Sequence, residues 1–469
     1  MSEREPWRLS ATELLAGYAA RAFKPSEVLA AVQTRIAEVE PALSAFLASD
    51  PARAEVDAKA ADAAWDKPGE KPALCGVPIS IKDTIEVEGM PTTYGSLAFK
   101  DNRQPDAELV TRLRAAGAVI LGKTNTPEFA LGAHTVNRLG PSTKNPWDQS
   151  RTSGGSSGGA AAAVASGMGP LAIGTDSGGS IRLPSAYQGI YGLKPSYQRI
   201  PSVQTWRASP GRSHNGPITR TVADAALLMQ VLAKPDPRDV DSTTLPPADF
   251  SAYAKAAVRG ARIAIAPYSK DDCGLEDLQR GLLADAAKLL ESLGCKVSEA
   301  AMPLRPGSDE MAPGVWAYSG DHFGAAESMI PGFWDKHAAD LTDYTRPIYE
   351  AGQRALAWQY RQILRRNQAY KLAVQRWFAD YDFFVGPCCG AAPLGNGTNT
   401  PEERAKNLRY LMPLNFSHNP AAAVPFAQST EGLPLAIQLV GRLGDDAGVL
   451  SLSAALEAVR PWSGRWPSL

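Results

Sequence analysis

Apolar residues fall at Val28, Leu29, Val32, Ile36 and Val39, a spacing of three and four that lines one face of a helix. Pro25 and Ser26 stand just ahead of that run and predict its start. Ser10, with Glu13 three residues on, reads as a capping box opening an earlier helix, and the alanine-rich run Ala52 to Trp65 predicts a third. The pattern then changes. Val77 to Ile85 (VPISIKDTI) alternates with β-branched residues and predicts a strand. Ala107 to Ala116 reads as a helix stopped by Gly117, with a strand in the AVILGKTN that follows. The same pairing returns at Ala261 to Pro267, at Leu275 to Leu293 with Gly294 beyond it, and in CKVSEA. Asp382 to Pro387 and Leu433 to Gly441 predict late strands, and Ala447 to Val459 a last helix. Strands alternating with helices predict an α/β layered fold with a largely parallel or mixed sheet. The Pro- and Asp-rich stretch Lys234 to Pro247 reads as a loop between two halves of one domain.

Length and composition narrow the class. The 469 residues are 44% hydrophobic and 21% charged, as in an ordinary soluble globular protein. A net charge of -1 gives no basic field for nucleic acid or an anionic membrane. The start, MSEREPWRLSATELL, has no basic region leading into an apolar one, so no signal peptide is expected. Ala160 to Gly174 is apolar but too short and glycine-rich to span a bilayer. The five cysteines form no CxxC pair, which predicts neither a zinc site nor a disulfide framework, and fits reduced thiols in a cytoplasm.

Three patterns compete for the chemistry. Gly117 to Thr124 fits the phosphate-loop spacing G-x-x-x-x-G-K-[ST], but its middle residues Ala, Val, Ile and Leu have the composition of a buried strand. Gly154 to Gly158 fits the G-x-S-x-G nucleophile elbow, yet the preceding NPWDQSRTS is polar and turn-like where that motif needs a strand. Of the histidines that follow it, His214, His322, His337 and His418 sit in no distinctive setting, and no S-x-x-K occurs. The third pattern is the block Thr152 to Pro195, in which two Gly/Ser knots, GGSSGG and GTDSGGSIR, bracket an alanine-rich segment. Glycines beside Ser180 let successive N–H groups converge on one oxygen, which is how backbone builds an oxyanion hole.

At these residues the sequence resembles the amidase-signature family. GVPISIKD, LGKTNTPEFA, NPWD, GGSSGG, GTDSGGSIRLP, GLKPS and GPITRTVADAALL stand in that family's order from Gly76 to Leu228, with DFFVGP and GLPLAIQLVG as later echoes. The resemblance implies a large mixed β-sheet covered by helices on both faces, formed by residues 1–469 as one domain. Within it, 1–70 would be an N-terminal helical segment, 71–230 the catalytic core, and 231–469 a variable part completing the fold. It implies Ser180 as nucleophile, Ser156 as bridging serine after a cis peptide from Gly155, and Lys82 as base. The 24-residue spacing from Ser156 to Ser180 picks Ser156 over Ser157. Backbone N–H groups of Ser177, Gly178, Gly179 and Ser180 are expected to face the oxyanion, with Asp176, Arg182 and Ser157 in support.

The expected reaction is cleavage of an amide C–N bond, with anilides, carbamates (a urethanase activity) and esters in the family's range. No cofactor or metal is implied. The expected partner is a small-molecule amide or carbamate, with no nucleic acid or membrane, in a cytoplasmic monomer or homodimer. The alternative within the family is the glutaminase component of a tRNA-dependent amidotransferase; a nucleotide-binding module is a minor one. Gln188, Asn419 and the lack of an evident carboxylate-binding arginine favour the stand-alone hydrolase. Pocket candidates are Tyr94 at a strand end, Phe129, Leu131 and Gly132 on the acyl side, Gln188, and the aromatics Trp316 and Trp334, whose irregular spacing suits a cleft loop or short helix. Such a pocket would prefer aryl or bulky apolar amides.

Overall fold

The structure, a computed structural model, describes residues 5–206, 211–253, 258–266, 277–303, 320–354, 356–389 and 408–469. The first strands are β1 (Phe46–Ser49), β2 (Pro78–Lys82) and β3 (Val119–Thr124). A separate two-stranded ribbon follows, β4 (Lys144–Asn145) and β5 (Asp148–Thr152), and then β6 (Leu171–Asp176), β7 (Tyr191–Lys194) and β8 (His214–Thr219). After the loop at 234–247 come β9 (Arg262–Ile265), β10 (Lys296–Glu299), β11 (Phe383–Pro387), β12 (Ala421–Gln428) and β13 (Pro434–Gly441). All but the ribbon form one eleven-stranded sheet in the order β1-β3-β2-β6-β8-β7-β12-β13-β11-β9-β10. β3, β2 and β6 run parallel, as do β11, β9 and β10, and the remaining neighbours are antiparallel. Strands from before and after the loop therefore meet at one seam, where β7 pairs with β12.

Local signals account for the element ends. Ser10 caps the helix Ala11–Ala19 reciprocally with Glu13. Pro25 takes the first position of the helix Pro25–Leu43, where its missing N–H costs nothing, while Ser26 turns outward to Asp62. Gly117 and Gly294 follow their helices at φ +80 and +84, a left-handed backbone that glycine adopts without a Cβ clash.

The alternation in β2 does not become an inside and an outside. All five residues are buried, because helices cover both faces and leave neither to water. The helix Gly158–Ser166 packs on β2, β6 and β8, and every residue of it is buried. Its alanines and glycines permit that approach: a Cβ on Gly159 would stand 2.4 Å from the Ala45 carbonyl oxygen and 2.5 Å from the Asn125 nitrogen.

Cys75, Cys295, Cys388 and Cys389 are buried free thiols, and Cys273 lies outside the described residues. Among the described residues no helix is long and apolar enough to cross a membrane, and no His, Cys, Asp and Glu cluster could hold a metal ion.

Candidate active site

Lys82 is the last residue of β2, and the parallel pairing of β2 with β6 carries Thr175, near the end of β6, alongside it. Its Nζ donates to Ser156 Oγ at 2.6 Å and to Thr175 Oγ1 at 2.8 Å. The side chain is wholly buried, and loss of water around the ammonium lowers its pKa to about 7 against the opposing pull of Asp176. Lys82 can thus be a neutral base near neutral pH. Thr175 received no role from the sequence, although it lies inside the GTDSGG block.

Ser156 enters from the β4–β5 ribbon, so a strand does precede GGSSGG, outside the main sheet. The Gly155–Ser156 peptide is cis. Gly155 lies against the 132–134 backbone, where a Cβ would come within 2.9 Å of Ala133 C and His134 N. Ser157 N–H donates to the Ser180 carbonyl at 3.1 Å, and Ser157 Oγ to the Thr175 carbonyl at 3.2 Å. The two Gly/Ser knots are therefore bonded together. Ser180 is half-buried in the turn between β6 and the helix Arg182–Gln188.

Asp176 and Arg182 are not a surface ion pair. Both are fully buried, and Arg182 meets both carboxylate oxygens, at 3.0 Å from Nε and 2.9 Å from a terminal nitrogen. The guanidinium also donates to the Leu411 carbonyl (2.9 Å), Gln438 Oε1 (2.7 Å) and Asn415 Oδ1 (2.7 Å). Asn415 returns a bond to Asp176 Oδ1 at 2.9 Å. Burial pushes the Asp176 pKa up, but Arg182, Lys194 and Asn415 outweigh it and hold the carboxylate well below its usual range. Asp176 also accepts from the N–H groups of Gly179 at 2.7 Å and Ile181 at 3.1 Å. That alters one expectation: the Gly179 N–H points at Asp176, away from an oxyanion. Among the described residues, the N–H groups of Ser177, Gly178 and Ser180 have no internal acceptor.

One further reading changes and one holds. His214 does have a distinctive place, with Nδ1 3.1 Å from the Asp176 carbonyl; burial holds its pKa well below the ordinary value, so it stays neutral. The phosphate-loop match is a strand. All of β3 is buried, and Lys123 sits 2.8 Å from Asp83 and donates to Thr92 Oγ1 at 2.6 Å. A phosphate has no loop to enter.

The family model described as Amidase matches residues 27–450. The chain belongs to the amidase family. It is 35% identical to an acylamidase of Rhodococcus erythropolis, over 100% of this chain and 99% of that protein. It is also 35% identical to a glutamyl-tRNA(Gln) amidotransferase component of Roseiflexus castenholzii, over 94% of each. The crystal structure of a bacterial aryl acylamidase of the amidase-signature family superposes with a TM-score of 0.89 at 28% identity, covering 97% of this chain and 99% of that one.

Around the serines of this amidase-family chain, the pocket candidates divide. Leu131 and Gly132 are half-buried, and the Gly132 carbonyl oxygen lies 3.1 Å from where a Gly155 Cβ would stand, next to Ser156. Gln188 does not face a cleft: it is buried and donates to the Ser153 carbonyl at 2.7 Å, tying down the GGSSGG turn from behind. Asn419 is likewise buried, bonded to the Gly441 carbonyl, so neither residue discriminates substrates by contact. Tyr94 lies in a turn at φ +53, not at a strand end, and its hydroxyl donates to Glu86 Oε1 at 2.6 Å. Phe129 donates its N–H to the Tyr94 carbonyl and stacks on Trp206 with centroids 5.3 Å apart. Trp334 is half-buried against the cluster of Tyr94, Phe99, Phe129, Phe333 and Tyr349, at the short helix Phe333–His337. Trp316 lies outside the described residues. Arg212, which no motif singled out, donates to the Ser177 carbonyl at 3.3 Å.

Proposed function

We propose that this amidase hydrolyses small amides, aryl amides among them, through an acyl-enzyme on Ser180, with Ser156 and Lys82 relaying protons. The observation that carries the reading is the buried Lys82 Nζ, 2.6 Å from Ser156 Oγ with its pKa lowered to about 7. A serine hydroxyl needs a base to become a useful nucleophile, and a lysine serves only when uncharged. Neutral Lys82 takes the Ser156 proton as Ser156 takes that of Ser180. Ser180 Oγ bonds to the carbonyl carbon, and the oxyanion receives N–H groups of Ser177, Gly178 and Ser180, each worth about 3 kcal/mol in such sites. The proton returns through Ser156 to the leaving nitrogen as the C–N bond breaks. Water, deprotonated by the same relay, then adds to the acyl carbon and releases the acid and Ser180.

The aryl preference draws support from the acylamidase and aryl acylamidase relatives. The direct test is a p-nitroacetanilide burst, with the acyl adduct located by mass spectrometry. Ser180→Ala abolishes both while retaining the fold; a burst surviving in that variant overturns the assignment. The amidotransferase relative supports a glutaminase as the second reading. Ammonia release from glutamine outpacing every anilide tested would favour it.

A further inference from the structure

A cavity of about 1070 Å³ is lined in part by the Tyr94 turn, and none of Lys82, Ser156, Thr175 or Ser180 lines it. Its wall combines three aromatic rings, Tyr94, Phe99 and Trp206, with the carboxylate of Glu86. Glu86 is 7% exposed. Tyr94 supplies one bond to its Oε1, and among the described residues Oε2 has no partner. A buried carboxylate oxygen without a donor is costly, and a ligand that brings a donor removes that cost. Lys123, whose charge also reaches Glu86, is already held by Asp83 and Thr92. The rim adds Asp101 and Asp340 against Lys100, so the lining carries more acid than base; His337 pairs with Asp340 at 2.9 Å.

We propose that this cavity is a second ligand site, separate from the Ser180 cleft, which takes a small protonated amine carrying an aryl body. The ammonium would sit against Glu86, and the ring against Tyr94, Phe99 and Trp206, where aromatic faces attract both a ring and a cation. Burial, the larger effect on Glu86, raises its pKa to about 7, against the lowering by the Tyr94 bond; an arriving ammonium would favour the ionised carboxylate.

The test is titration calorimetry on the full chain with phenethylamine and with 2-phenylethanol, its neutral counterpart of similar shape. Phenethylamine should bind saturably, at least about tenfold tighter than the alcohol, and Glu86→Gln should erase that difference. Because the amine-against-alcohol comparison uses the unaltered protein, it holds even where Glu86→Gln folds poorly. Equal affinity for the two compounds, absence of amine binding, or undiminished amine affinity in a folded Glu86→Gln would each overturn the proposal.

Discussion

At the scale of single residues the protonation of Lys82 sets two measurable slopes. Its folded pKa of about 7 lies below the ordinary 10.5, so the group is charged when unfolded and largely neutral when folded across that interval. In the proposed relay the neutral form is the base. Anilide turnover should therefore rise with pH through about 7 and level off above it, and Lys82→Arg, which cannot deprotonate there, should lose both the limb and the activity. Folding stability follows the same sign. Between about pH 7 and 10 the unfolded chain binds the extra proton, so stability rises with pH, by up to about 1.4 kcal/mol per unit from this group. Lys82→Met should flatten that part of the curve in urea titrations at pH 7 and pH 9; an unchanged slope would mean the lysine is charged in the fold. Lys82 and Ser156 are legible in the sequence because each sits in a distinctive short run. Thr175 is not, since a threonine at a strand end looks the same whether or not a lysine reaches it.

At the scale of elements, the Asp176 carboxylate organises the turn between β6 and the helix after it. It takes two backbone N–H groups of that turn while Arg182 and Asn415 neutralise and hold it. Asn415→Ala would leave Arg182 and Asp176 each short of a buried partner. We expect a loss of about 1–3 kcal/mol by chemical denaturation and of tenfold to a hundredfold, roughly, in kcat, as the Ser180 turn relaxes. A variant with parental kcat would show that the turn holds its shape unaided. Asp176 and Arg182 are named as supports from the sequence, but Asn415 and Gln438 are not readable in advance. Asn415 lies 233 positions from Arg182, and Gln438 lies 256. Period and composition report on neighbours along the chain, whereas these contacts exist only once the sheet has formed. Gln188 misleads in the opposite direction: it stands as a pocket candidate in the sequence, but its side chain is spent on a backbone carbonyl.

Across the whole molecule the β7–β12 seam divides the strands by sequence, with the serines, Lys82 and Asp176 from the earlier part and Leu411, Asn415 and Gln438, the other partners of Arg182, from the later. The layered class and the strands β2, β3, β9, β10, β11 and β13 are visible in the sequence, because buried strands and capped helices carry local signals; β6, β7, β8 and β12 and the order of strands across the seam are not. A fragment of residues 1–239 holds every residue of the proposed relay but leaves Arg182 without Leu411, Asn415 and Gln438, and the β7 edge open. Alone it should be inactive toward p-nitroacetanilide, and mixing it with 240–469 during refolding should restore turnover. Activity in the first fragment by itself would separate the chemistry from the seam. The same arrangement has a consequence in time. A ribosome delivers Lys82, Ser156 and Ser180 before half the chain is made, but Asn415 and Gln438 arrive only near its end. On the proposed assignment the nascent polypeptide would carry its nucleophile through most of synthesis in an unassembled form, and catalysis would switch on only when the last strands dock.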